Sequence, residues 1–192
     1  ADNSTNITRS LSVDFSKAFD LIYHNVLLAK FEQYDFPPHI IAWSVSFLQN
    51  RQQFVKIGNH SSSLQTINAG APQGTLAGPN DFKLLINDLC CNVNHVKYVD
   101  DTTFTSTSYD LQDKALQHAA DQLSEWTKAN GMNLNEKKTK EMVICFASKK
   151  KVDSNLISSI VINSHPIERV KTFKLLGLVV ASDLSWAAHV DY

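Results

Sequence analysis

Two short segments with alternating polar residues, "HVKYV" and "TTFTST", stand on either side of Asp100 and Asp101. Such alternation predicts half-buried strands, and their close spacing predicts one hairpin with the Asp pair at its tip. This hairpin constrains the fold, because its strands must lie side by side in one sheet. Two like charges at its tip are either a solvated turn or part of a site that holds a cation.

The rest of the chain alternates between strand and helix patterns. "RSLSVDF" predicts a first strand that ends near Asp14, and helical spacing follows in "KAFDLIYHNVLLAKFEQY" and "PPHIIAWSVSFLQN". A hairpin turning at Gly58-Asn59, a helix after Pro79 and a long helix ending before Gly131 come next, and "KEMVICF", "SIVINSHPIERV" and "FKLLGLVV" are predicted as strands. This order predicts an α+β fold with an antiparallel sheet, built on a split β-α-β-β-α-β core and backed by helices.

Length and composition favour one domain over residues 1–192. The longest apolar runs fall short of 18 residues, so we expect no membrane span. Three cysteines, two of them adjacent, make a poor disulfide framework and favour an intracellular location. The sequence predicts no particular oligomeric state.

Charge is unevenly distributed along the chain. Residues 1–127 carry 8 Lys and Arg against 13 Asp and Glu, whereas residues 128–174 carry 10 against 4. An acidic part followed by a basic part suits a metal site beside a phosphate-binding surface. On charge alone, two ordinary solvated faces explain the same distribution equally well.

In the predicted core, Asp14 and the Asp100-Asp101 tip fall on neighbouring central strands. Three carboxylates brought together repel one another unless a hard cation neutralises them. Two Mg²⁺ ions fit such a site, because Mg²⁺ takes few carboxylates and completes its shell with water and phosphate oxygens. Each motif alone also has a structural explanation, since Asp-Asp is common in turns, Asp14 could cap a helix, and Lys137–Lys140 could be a solvated face.

Five segments, taken in order, resemble the motifs of a reverse transcriptase palm from a non-LTR, LINE-type retrotransposon of the jockey kind. They are "SVDFSKAFDLIYHNVLLAKF", "GAPQGTLAGPNDFKLLINDL", "KYVDDTTFTS", "LSEWTKANGMNLNEKKTKEMVICF" and "FKLLGLVVASDLSWAAHV". The resemblance runs from about residue 9 to the end of the chain. It implies an RNA-directed DNA polymerase that adds dNTPs to the 3′-hydroxyl of a DNA primer on an RNA template.

The resemblance also implies roles for single residues around the metal. Asp14 and Asp100 would bind both Mg²⁺ ions, for which Mn²⁺ could substitute, and Asp101 would be the less essential third carboxylate. The carbonyl of Phe15 would complete one metal shell. Lys138 would protonate the leaving pyrophosphate, with Lys140 as the alternative.

Further implied roles concern the nucleotide and the primer. Phe19 would exclude a ribose 2′-hydroxyl, although core packing explains its spacing equally well. Gln73 and Gly74 would contact the incoming nucleotide and the templating base. The hairpin within residues 158–192, with Lys174, Leu176 and Gly177, would grip the primer end before the start of a thumb.

The chain departs from the family pattern at Val99, where this branch usually has Ala, and at Asn80 and Asp81, which follow "GP" at usually apolar positions. We expect the fingers and thumb to be largely missing and the chain to be part of a longer polyprotein. An active element would place it in the nucleus and cytoplasm. The alternatives are a catalytically inactive remnant that binds nucleic acid and, more weakly, a metal-dependent nuclease.

Overall fold

The computed structural model describes residues 7–72, 74–145 and 156–192. These described residues form two compact units, one within the ranges 1–16, 90–126 and 134–192, the other within the ranges 17–89 and 127–133. The helices are α1 (His24–Gln33), α2 (Pro38–Leu48), α3 (Ala77–Ile86), α4 (Ala115–Ala129) and α5 (Ala187–Val190). The strands are β1 (Ile7–Val13), β2 (Gln52–Gln53), β3 (Lys56–Ile57), β4 (His60–Ser61), β5 (Gln65–Thr66), β6 (Asn94–Tyr98), β7 (Asp101–Ser108), β8 (Lys140–Cys145), β9 (Val161–Ile162), β10 (His165–Pro166), β11 (Glu168–Arg169), β12 (Thr172–Leu175) and β13 (Leu178–Ala181).

The first unit contains a five-stranded sheet in the order β11-β8-β1-β7-β6. β1 lies between β7 and β8 and pairs antiparallel with both, and β6 pairs antiparallel with β7. β1 therefore neighbours the β6–β7 hairpin in the centre of the sheet, as the sequence predicts. β11 joins the edge of β8 in parallel, so the sheet is mixed and not purely antiparallel.

One face of the sheet is buried because apolar residues recur with a period of two. Leu11 lies opposite Phe104 in the register of β1 and β7, and neither side chain is exposed. Ile7 and Val13 lie on the same face of β1 and are also buried. The apolar residues at helical spacing in α4 are buried too: Leu116, Ala119, Ala120 and Leu123.

The second unit shows where the predicted first helix was too long. α1 begins at His24, and residues 17–21 instead form a single turn closed by the Leu21 N–H to the Lys17 carbonyl (3.1 Å). Backbone around Tyr23 is extended and pairs with a neighbouring segment, since the Gly70 N–H donates to the Ile22 carbonyl (2.9 Å). Long-range pairing therefore overrides helical spacing here.

Most predicted hairpins and turns are present. β3 and β4 turn at Gly58-Asn59 as expected, and β2 pairs with β5 outside them. The predicted single strand "SIVINSHPIERV" was wrong, because Asn163 and Ser164 both have positive φ and reverse the chain between β9 and β10. β11 then forms the parallel pair with β8.

α4 ends before Gly131, as predicted, and Gly131 lies two residues beyond its last residue with φ +68°. A Cβ at this position would lie 2.5 Å from Cδ2 of Tyr23. Both the left-handed backbone and the close approach of the tyrosine ring therefore require glycine.

Candidate active site

Asp14 directly follows β1, where the strand leaves the sheet. Its carbonyl accepts the N–H of Asn135 (2.8 Å), and its N–H donates to Oγ1 of Thr139 (3.3 Å). Thr139 is fully buried. The segment just before β8 therefore fixes the backbone of Asp14.

Asp100 and Asp101 lie at the tip of the β6–β7 hairpin, as the sequence predicts. Tyr98 pairs with Asp101, which leaves Val99 and Asp100 as a two-residue loop. Val99 has φ +56°, a conformation that costs a β-branched residue about 1–3 kcal/mol. Val99 thus adopts a backbone conformation that favours glycine, and the turn places Asp100 at an exposed corner.

The register brings two of the three carboxylates to neighbouring positions. Val13 pairs with Thr102 in antiparallel strands, so Asp14, which follows Val13, lies beside Asp101, which precedes Thr102, at the same end of the sheet. The pKa of Asp101 is raised, first by partial burial and then by the negative charges of Asp100 and Asp14. Asp101 is therefore close enough to both Asp100 and Asp14 to interact with them electrostatically.

The described residues include no group of three or more His, Cys, Asp or Glu side chains arranged to hold a metal ion. Repulsion between like charges opposes a tighter arrangement of Asp14, Asp100 and Asp101. Their oxygen donors are nevertheless the kind that Mg²⁺ prefers. The donor chemistry fits a hard cation, and the repulsion felt by Asp101 is what such a cation would relieve.

Phe15 lies beside Asp14 and forms an isolated antiparallel bridge with Leu134. The hydrogen bond of that bridge runs from the Asn135 N–H to the Asp14 carbonyl. The bridge therefore does not use the carbonyl of Phe15, whose side chain is buried.

Lys138 and Lys140 differ in their surroundings. Nζ of Lys140 donates to Oε2 of Glu168 and to the carbonyl of Lys137, both at 2.6 Å. Lys138 is exposed, and its N–H donates to the Asn135 carbonyl (3.2 Å) in the same turn that holds Asp14. Its ammonium group is thus the more available of the two.

The second unit brings together two segments predicted to bind the nucleotide. The half-buried ring of Phe19 stacks on that of Phe82, with centroids 4.9 Å apart. The Phe19 carbonyl accepts the N–H of Ala71 (2.8 Å), which joins it to the loop that carries Gly74. Gly74 has φ +75° and open space around it, whereas Gln73 lies outside the described residues.

Lys174, Leu176 and Gly177 lie on the β12–β13 hairpin of the first unit, so the prediction of "FKLLGLVV" as a single strand was wrong. Leu176 and Gly177 form the two-residue loop between β12 and β13, and both have positive φ, as in a type I′ turn. Leu176 is exposed at this tip. Nζ of Lys174 lies 4.6 Å from the ring centroid of Tyr192 and donates to its hydroxyl (3.0 Å).

Comparison with known proteins decides the family. The profile described as "Reverse transcriptase (RNA-dependent DNA polymerase)" matches residues 1–180. The chain belongs to the reverse transcriptase family.

The resemblance to jockey-like, non-LTR elements is confirmed by relatives of this reverse transcriptase domain. It is 25% identical over 190 residues to the RNA-directed DNA polymerase from mobile element jockey of Drosophila melanogaster, covering 93% of this chain and 20% of that protein. Probable RNA-directed DNA polymerases from transposon BS and transposon X-element, both of D. melanogaster, are 26% identical over 93% and 99% of the chain, which covers 20% and 21% of each. The chain thus spans about a fifth of the length of these relatives.

Solved structures show the same reverse transcriptase fold. Telomerase from Candida tropicalis in complex with a telomeric RNA fragment superposes with a TM-score of 0.64 at 16% identity, over 96% of this chain and 30% of that one. Apo telomerase from the same organism, truncated from its C-terminal domain, gives 0.61 at 15% identity, over 93% and 35%.

Sequence reasoning missed the residues that hold the backbone of Asp14 in place. Asn135 and Thr139 are separated from Asp14 by more than a hundred positions, and no spacing rule links them. Arg9, in contrast, could have been recognised from the sequence as a buried charge. It lies two residues before Leu11, on the buried face of β1, where a charge needs a partner.

Asp81 is a further acidic group in the second unit, within the first turns of α3. Its side chain is buried, and this burial raises its pKa from 3.8 to about 6. The folded chain therefore binds more protons than the unfolded chain between these two values. The stability contributed by the protonated carboxyl is complete below pH 3.8 and is lost as the pH rises through 6.

Asp81→Asn is therefore expected to raise the free energy of unfolding at pH 8 by about 1–3 kcal/mol, with little gain near pH 4. Urea unfolding of the variant and the parent at both pH values measures this difference. Asp20→Asn, at an exposed carboxylate of the same unit, is the matched control. An equal effect of Asp81→Asn at both pH values would contradict the assignment.

Proposed function

We propose that this chain is the polymerase palm of a jockey-like element, and that it catalyses metal-dependent addition of dNTPs to a primer 3′-hydroxyl on an RNA template. The observation that carries the proposal is the register of β1 and β7. It places Asp14 beside Asp101, next to the loop that holds Asp100, within a chain of the reverse transcriptase family.

Asp14, Asp100 and Asp101, with the carbonyl of Phe15, are the groups that would hold two Mg²⁺ or Mn²⁺ ions. When bound, such ions would make the primer 3′-hydroxyl more acidic and would neutralise negative charge on the leaving pyrophosphate. Membership of the family and the mutual repulsion of the carboxylates support this assignment. The segment from Asn135 to Thr139 keeps Asp14 in place by its two backbone contacts.

Other residues would bind and orient the reactants. Phe19, whose ring stacks on that of Phe82, would narrow the space for a ribose 2′-hydroxyl. Gln73 and Gly74 would contact the incoming nucleotide and the templating base. Lys174, Leu176 and Gly177 would hold the primer end at the tip of the β12–β13 hairpin. Positioning of this kind contributes much of the rate in phosphoryl transfer. The site of action would be inside the cell, in the nucleus and cytoplasm of the host.

Primer extension on an RNA template tests the proposal. The purified chain is given a DNA primer, dNTPs and Mn²⁺, and product is measured with and without EDTA. We expect metal-dependent extension that follows the template sequence. Binding of the primer–template without extension would reject catalysis by this chain and favour the nucleic-acid-binding alternative.

Lys138 would donate a proton to the leaving pyrophosphate, because its ammonium is exposed whereas that of Lys140 is paired with Glu168. Lys138→Ala is therefore expected to slow single-nucleotide incorporation roughly 100-fold, the lower end of general-acid effects. Lys140→Ala is the control and should change the rate much less. The measurement is the single-turnover rate of incorporation by the parent and by both variants. Equal losses in both variants would contradict the assignment.

A further inference from the structure

One turn of the first unit carries both Lys138 and the groups that contact Asp14. Residues 135–139 form this turn, which is closed by the Thr139 N–H donating to the Asn135 carbonyl (2.8 Å). The Lys138 N–H donates to the same carbonyl (3.2 Å) and to Oδ1 of Asn135 (3.3 Å). The backbone of Lys138 is therefore held by Asn135, through both its main chain and its side chain.

The two ends of the turn hold Asp14 in different ways. Asn135 donates its N–H to the Asp14 carbonyl (2.8 Å), a backbone contact that does not depend on the side chain at position 135. At the other end, the Asp14 N–H donates to Oγ1 of Thr139 (3.3 Å), which is a side-chain atom. Thr139 is therefore the residue whose side chain decides whether the N–H of Asp14 is held.

Burial makes the hydroxyl of Thr139 hard to replace. The residue is fully buried, so water cannot readily take over as the acceptor. A buried or part-buried N–H that loses its acceptor destabilises the conformation that contains it. Because β1 keeps its pairing with β7 and β8 on both sides, loss of this acceptor should loosen Asp14 without unfolding the sheet.

A second contact holds the same turn from its outer side. Nδ2 of Asn163, at the chain reversal between β9 and β10, donates to Oε1 of Glu136 (2.8 Å) and thereby lowers the pKa of that carboxyl. This bond lies at the surface, where water can replace either partner at little cost. The inner contact through Thr139 and the outer contact through Asn163 thus differ in burial, although both hold one turn.

We propose that Thr139 is a positioning residue for nucleotide addition, which keeps the carboxylate of Asp14 and the ammonium of Lys138 in a fixed relation by joining their backbones through one turn. The roles of these two groups rest on the proposed function. Thr139 itself touches no reactant. Its effect arises because a displacement of about 1 Å at a reacting group can lower a rate on the order of a hundredfold.

Amide hydrogen exchange, followed by NMR in EDTA, tests the positioning without metal or substrate. Thr139→Val removes the acceptor and keeps the branched shape, and it is expected to speed exchange of the Asp14 N–H roughly tenfold. Thr139→Ser restores the oxygen and should return the exchange rate to that of the parent. The N–H of Leu11, in the paired part of β1, is the internal reference and should not change.

Single-nucleotide incorporation tests the consequence for the reaction. Thr139→Val should lower the maximal rate by roughly tenfold to a hundredfold with little change in the KM for the dNTP, because the turn contacts Asp14 and carries no residue assigned to the nucleotide. Thr139→Ser should recover most of the rate. Asn163→Gly keeps the left-handed backbone (φ 50°), removes only the surface contact and should cost much less. Thr107→Val, at an exposed threonine of β7, should leave the rate unchanged.

A double-mutant cycle isolates the link to Lys138. In Lys138→Ala the ammonium is already absent, so adding Thr139→Val should cost less than it costs in the parent. Full additivity of the two losses would show that Thr139 does not act on Lys138, and it would overturn the coupling.

Three further results would overturn the proposal. Unchanged exchange at Asp14 in Thr139→Val would show that the hydroxyl does not hold it, and faster exchange with the parental rate of incorporation would show that this contact does not matter. Equal losses of rate in Thr139→Val and Asn163→Gly would mean that the turn acts only through its overall rigidity. If the parent itself adds no nucleotide, the proposed function fails, whereas the exchange measurement still decides whether Thr139 holds Asp14.

Discussion

Asp100→Asn is expected to abolish RNA-templated incorporation, lowering the rate by about a thousandfold or more. The substitution removes one negative charge and keeps the size of the side chain. Charge stabilisation by a bound metal is worth several kcal/mol in the transition state, and each 1.4 kcal/mol corresponds to a factor of ten in rate. Since Asp100 is one of the residues that would hold the metal ions, its loss is expected to cost several powers of ten.

The position of Asp100 separates chemistry from folding. It is the second residue of the two-residue loop that begins with Val99. Its side chain is exposed there, and asparagine is compatible with a turn. The folded structure should therefore persist, which a thermal melt in EDTA checks. Asp110→Asn is the matched control, because Asp110 is also exposed and Asn can still accept the N–H that Gln112 donates to it (2.9 Å).

Single-turnover extension in Mn²⁺ and in Mg²⁺ measures both variants. Residual activity in Asp100→Asn close to that of the parent would remove Asp100 from the site. A comparable loss in Asp110→Asn would mean that the carboxylates at this hairpin act through net charge and not as ligands.

The strands around the carboxylates could be predicted because local signals and long-range pairing agree there. Alternation in β1 and in the β6–β7 hairpin fixes which side chains face the core, and the strand order follows from the split core. The proximity of Asp14 to the Asp100-Asp101 pair can then be predicted from the pairing of the strands alone. Gly131 was also predictable, since a left-handed residue after a helix favours glycine.

Elsewhere the signals disagree, and the sequence could not settle the outcome. Helical spacing across Phe19 and Ile22 is real, but backbone pairing of Ile22 with Gly70 overrides it. That pairing joins segments almost fifty residues apart, which periodicity does not detect. The same limit applies to Asn135 and Thr139, whose contacts with Asp14 depend on the folded chain.

Glu141 is the clearest case of such a hidden contact, and Glu141→Ala is expected to lower the free energy of unfolding by about 3–5 kcal/mol. Its side chain is fully buried between two arginines. Nη2 of Arg9 lies 2.6 Å from Oε1, and Nη2 of Arg169 lies 2.9 Å from Oε2. Removing the carboxylate would leave the buried charge of Arg9 uncompensated, which is where most of the cost arises.

The arginines also explain why the effect should extend beyond β8. Arg9 donates to the carbonyl of Ser158 (2.9 Å), and Arg169 donates to that of Ile157 (3.2 Å). Glu141 therefore holds together β1, which leads to Asp14, and β11, which leads to the β12–β13 hairpin. Loss of the carboxylate should loosen both connections in the first unit.

Urea unfolding followed by circular dichroism measures the loss, with Glu168→Ala as the control. Glu168 pairs with Lys140 at 2.6 Å, but its side chain is 67% exposed, so its removal should cost at most about 1 kcal/mol. Replacing Glu141 by Leu together with Arg9 by Met and Arg169 by Leu should recover much of the stability, since no buried charge is then left alone. A loss in Glu141→Ala no larger than that in Glu168→Ala would mean that water already reaches the cluster. Arg9, Glu141 and Arg169 would then stabilise the fold no more than an exposed ion pair does, despite their burial.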